Sequence, residues 1–145
     1  MKALSPYLRA VLYGILALLM LTLLSVGWAI LEMVVLNPAG PDSEPYRLQL
    51  HYIESLTVFY AAVAIPIIIL FAWRAARRVP PGKALTTGLI VALVCVAVEL
   101  GVQIAAAGVL PSPVLLTLGV ALSKLLSGLL GGWLALRTVP IDGAA

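Results

Sequence analysis

One cysteine, one histidine and a charged fraction of 10% are all that 145 residues leave for polar chemistry. The lone Cys95 excludes an intramolecular disulfide and a cysteine-based zinc cluster. The scarcity of charge excludes a water-facing globular surface, which takes about a quarter of its residues from Asp, Glu, Lys and Arg. No nucleophile elbow, HExxH pair or phosphate-binding glycine loop occurs, so the chain is not expected to be an enzyme. The thin residual case is a membrane enzyme with its site near the outer face, around His51. The loops carry no basic and aromatic recognition surface, so nucleic acid is not an expected partner. No cofactor or metal is implied.

What is abundant is apolar surface, at 63% of residues, with a mean hydropathy of +1.14. It falls into four runs, residues 11–36, 52–73, 84–110 and 114–136. Each meets the ~20 residues that an α-helix needs to cross the hydrocarbon core. The runs are continuously apolar and do not alternate, which argues against a barrel. Breakers separate them: "NPAGPDSEP", "RRVPPGK" and "LPSP". The expected fold is therefore an all-α, four-helix transmembrane bundle forming a single domain over residues 1–145. The last connector is so short that helices three and four form a tight antiparallel hairpin. The first run exceeds the h-region of a signal peptide and is expected to remain as a helix.

Orientation follows from the basic residues. Lys2, Arg9, Arg74, Arg77, Arg78, Lys83 and Arg137 fall on one side, and only Arg47 on the other. Seven against one places both termini in the cytoplasm of a multi-pass cell-membrane protein. The cluster Arg74, Arg77, Arg78 with Lys83 is the cytoplasmic anchor, read first as a stop signal in contact with lipid headgroups.

Inside the membrane the sequence breaks its own pattern. Glu99, in "LVCVAVELGVQ", and Lys124 both stand about twelve residues from a turn near Pro111–Ser112. At 1.5 Å per residue that is about 18–20 Å, a little past the midplane of a ~30 Å core. A lone charge at that depth costs from about 3 to more than 10 kcal/mol. Opposite charges at one depth remove much of that cost by pairing or by sharing the proton. Gln103 and Cys95, one turn to either side of Glu99, extend a polar stripe expected to face Lys124. Two roles compete for the pair: a structural lock, and a proton or ion relay.

Small residues recur along the fourth run as Gly119, Ser123, Ser127 and Gly131, with Gly128 and Gly132 alongside. Such ridges let helix backbones approach closely in lipid. In the third run Ala97, Gly101 and Ala105 are the expected matching groove. One ridge is expected to serve the hairpin and the other to be available to a second protomer. At the outer end Glu32, His51 and Glu54 share a depth. They either hold a cation or proton, or cap the second helix and reach into headgroups.

The functional expectation is a structural or accessory subunit, or an assembly factor, partnered by lipid and by another membrane protein or its own copies. The alternative is a small proton-coupled transporter acting as an oligomer, with Glu99 as proton carrier. In helix number and in having a membrane carboxylate the chain resembles the small multidrug exporters. The likeness stops at architecture: their essential acid lies in the first helix, and here the midplane acid lies in the third.

Overall fold

The computed structural model describes residues 5–31, 34, 45–107 and 114–138, with 45–58, 106, 107, 115 and 116 described as backbone only. Four helices make up these residues: α1 (Pro6–Leu31), α2 (Pro45–Ala76), α3 (Ala84–Ala107) and α4 (Val114–Thr138). All four are long and apolar enough to cross a membrane, and the chain is an all-helical, multi-pass membrane protein. The connector between α3 and α4 lies outside the described residues.

α3 and α4 begin where their apolar runs begin, at Ala84 and Val114, whereas α1 and α2 begin earlier. α1 starts five residues before its run, because Ser5 caps it: the Leu8 amide donates to Ser5 Oγ at 3.2 Å, and Pro6 occupies the first helical position. α2 begins at Pro45, seven residues ahead of its run, and continues through Pro66 to Ala76. After it the chain turns through Arg77–Pro80 into one 3-10 turn, Pro81–Lys83, that leads directly into α3. Hydropathy marks where a helix meets hydrocarbon. It does not mark where the helix stops.

Every close helix pairing involves α2 or α3, with α1 and α4 each packed against both. The interior is built from small residues: Ala10, Ala17, Ala64, Ala72, Ala92 and Ala135 are buried. Large residues point outward, among them Leu23, Leu118, Leu122, Leu126 and Val102. This inversion of a soluble core suits a bilayer, where apolar surface gains nothing by leaving lipid and close backbone packing holds helices together.

Glycines set the closest approaches. A Cβ added to Gly128 would stand 2.6 Å from both the Ala92 Cβ and the Gly88 carbonyl oxygen. One on Gly132 would stand 2.8 Å from the Ala84 oxygen, and one on Gly131 would stand 2.6 Å from the Ala72 Cβ of α2. Gly128 and Gly132 therefore meet α3 while Gly131 meets α2. Both neighbouring small-residue stripes thus have contacts within the chain, at Gly128 and Gly132 on one and at Gly131 on the other. The α3 groove is corrected: Ala97, Gly101 and Ala105 are exposed, and the residues used are Ala84, Gly88 and Ala92.

Gly119 has nothing within 4 Å of an added Cβ. Ser123 and Ser127 bond within their own helix, to the carbonyls of Val120 and Ser123 at 2.8 and 2.7 Å. They contribute small size to the ridge, and their hydroxyls do not reach across to a neighbouring helix.

Candidate functional site

Lys124 lies near the middle of α4, on the inward stripe it shares with Ser127, Gly128, Gly131 and Ala135. The backbone approach at Gly128 and Gly132 holds α4 against α3 and turns that stripe inward. A lysine on it has nowhere to go but between helices. Its side chain is 2% exposed, and its Nζ meets Oε2 of Glu99 from α3. The same ammonium stands 4.6 Å from the centroid of the Tyr60 ring of α2. Tyr60 also interacts with the Glu99 carboxylate. Three helices thus converge on one ammonium: a carboxylate from α3, an aromatic face from α2 and the lysine itself from α4.

Cys95 shares the interior with the pair, in electrostatic reach of Lys124 and Glu99, and it also reaches a further helix. Cys95 is fully buried and donates to the Gly14 carbonyl of α1 at 3.4 Å, so its thiol ties α3 to α1. Gly14 makes this contact possible, since a Cβ there would stand 2.7 Å from the Val94 Cβ. Gln103 is one turn beyond Glu99, and its Oε1 is buried without a hydrogen-bond partner. The side chain of Glu99 itself is 20% exposed. The carboxylate therefore has an enclosed side toward Lys124 and a partly open side.

Tyr60 is the residue that sequence reading missed. It lies in "VFYAAVAI", where nothing but its hydroxyl departs from the apolar run. That hydroxyl was the available signal, because a tyrosine within a membrane span needs a polar partner at its own depth. Gly88 was missed as well, since it has no small neighbour four residues on either side except Ala84 and Ala92, which read as ordinary filler.

The outer cluster is not assembled by the described residues. Glu32 lies outside them, and His51 and Glu54 fall where only the backbone of α2 is described. The backbone does revise one point. Because α2 starts at Pro45, Glu54 stands well beyond the first turn, where a helix dipole favours a carboxylate, and it does not cap the helix.

At the opposite end the four helix ends come together. Arg9 donates through Nη1 to the Arg78 carbonyl at 3.1 Å, and Trp73 Nε1 donates to Thr138 Oγ1 at 2.9 Å. Arg77 lies over the Trp73 ring at 4.7 Å, and Arg137 lies over Trp133 at 3.9 Å. This is the end at which Arg74, Arg77, Arg78 and Lys83 sit.

Comparison with protein-family models, with curated proteins and with solved structures finds no match to this chain.

Proposed function

We propose that this chain is a cell-membrane protein with both termini in the cytoplasm. Its work is structural, as an accessory subunit or assembly factor that packs beside another membrane protein. The observation that carries this reading is the enclosure of Lys124. An ammonium that is 2% exposed, held by Glu99 and faced by Tyr60, has its needs met inside the chain. A buried pair of this kind fixes the register and rotation of the helices that supply it. The Gly88–Gly128–Gly132 crossing supports the same reading, because close backbone contact favours a rigid unit. The test is gentle detergent extraction followed by mass measurement of the intact particle. A stoichiometric complex with a second membrane protein is expected. A lone protomer or a small homo-oligomer would contradict the accessory role.

A second reading has its own observation. Glu99 keeps an open side, and the unpartnered Oε1 of Gln103 lies one turn away. An unsatisfied buried oxygen beside a membrane carboxylate suits a proton carrier in a small transporter. On that reading Glu99→Gln abolishes pH-dependent uptake or efflux in proteoliposomes while assembly is retained. Unchanged transport in that variant would exclude it.

A further inference from the structure

The end of α2 carries a feature that a stop signal does not require. Arg74, Arg77 and Arg78 line one cavity of about 320 Å³. A stop signal or a helix-dipole partner needs positive charge near the end of the helix. It needs no shared concavity. These three side chains surround a common space, and two of them are placed by contacts elsewhere in the chain. The Arg77 guanidinium is laid on the Trp73 ring, which is itself fixed by its bond to Thr138. The turn that presents Arg78 is pinned by Arg9 through the Arg78 carbonyl.

The charge balance is one-sided. Among the described side chains the only carboxylate is Glu99, which is engaged by Lys124 between the helices. A planar guanidinium stacked on an aromatic ring keeps its N–H edge available, and that edge matches two oxygens of a phosphate. The cavity is at the same end as Trp73, Trp133 and Arg137, where amphipathic rings mark the headgroup level of a bilayer.

We propose that Arg74, Arg77 and Arg78 form a binding site for a phosphate-bearing anion at the membrane surface. The phosphate comes from an anionic lipid headgroup or from a free phosphate in solution, and the two sources are separable.

The experiment uses the full chain in mild detergent, with native mass spectrometry reading bound lipid. Phosphatidylglycerol and phosphatidylcholine are offered in equal amounts. The unaltered chain should retain phosphatidylglycerol preferentially. Arg74→Gln with Arg77→Gln should lower that preference about tenfold, because two charge-assisted contacts are lost. Lys83→Gln with Arg137→Gln removes the same charge from the same end outside the cavity, and should leave most of the preference intact. Arg74→Lys with Arg77→Lys keeps the charge and removes the fork. It should fold as the parent does and lose about threefold. Excess inorganic phosphate that displaces the lipid identifies free phosphate as an occupant, and no displacement identifies the headgroup. Equal retention of both lipids by the unaltered chain would overturn the site, as would equal loss in the two glutamine pairs.

Discussion

At the scale of single residues, the interior is governed by what surrounds the Lys124 ammonium. A cation that has left water needs its hydration replaced, and the replacement here has two parts. Glu99 supplies opposite charge, and the Tyr60 ring supplies the negative face of its π-system at 4.6 Å. The two parts can be separated by substitution. Tyr60→Phe keeps the ring and removes only the hydroxyl, so it should cost about 1 kcal/mol. Tyr60→Leu removes the ring as well and should cost about 2–3 kcal/mol, since a desolvated cation–π contact is worth ~2 kcal/mol. Unfolding of the full chain in mixed micelles, titrated with a denaturing detergent, measures both. Equal losses in the two variants would show that the ring has no share in holding the ammonium. Of this, the sequence shows the Glu99–Lys124 pairing and, for Tyr60, only a hydroxyl within an apolar run. The numbers of Glu99 and Lys124 set their depth. The rotation that brings a third helix to them has no sequence signature.

At the scale of helices, the chain illustrates what a small-residue repeat does and does not encode. α3 carries two such stripes, Ala84–Gly88–Ala92 and Ala97–Gly101–Ala105. They are out of phase, because the five-residue step from 92 to 97 rotates the helix by about 140° from a full set of turns. Either stripe satisfies the packing rule, and the sequence does not say which one meets α4. The first does, and the second is exposed. Two substitutions distinguish the inner positions from the outer ones. Gly128→Ala puts a methyl group 2.6 Å from a backbone oxygen of α3, where no rotamer change can relieve it. It should destabilise the bundle by about 1–3 kcal/mol despite the better helix propensity of alanine. Gly119→Ala meets nothing within 4 Å, so it should be neutral or stabilise by up to about 1 kcal/mol. The same unfolding titration reads both, and a loss of similar size at the two sites would place the contact surface elsewhere. The existence of the helices was legible because a continuous apolar run has few other solutions. The starts of α3 and α4 were legible too, at Ala84 and Val114; those of α1 and α2 were not, since the helices include the polar segments Pro6–Arg9 and Pro45–His51.

At the scale of the whole molecule, four helix ends gather their arginines and tryptophans at one pole, while a lysine and a glutamate meet between α3 and α4. On the proposed orientation, with the basic pole inside, a reporter fused to either terminus is expected to be active only in the cytoplasm. Activity outside at either end would reverse the reading of the lysine and arginine count. The interior pair has a consequence for stability that no single substitution isolates. Removing one charge leaves the other buried without its partner, which costs about 3–5 kcal/mol, while removing both leaves two neutral side chains of similar size. The decisive measurement is therefore a double-mutant cycle on unfolding of the full chain, with Glu99→Gln, Lys124→Met and the two together. Each single variant should lose about 3 kcal/mol or more, and the double should return to within about 1 kcal/mol of the parent. Losses that simply add would mean that the two groups do not hold each other, and the structural lock would be wrong.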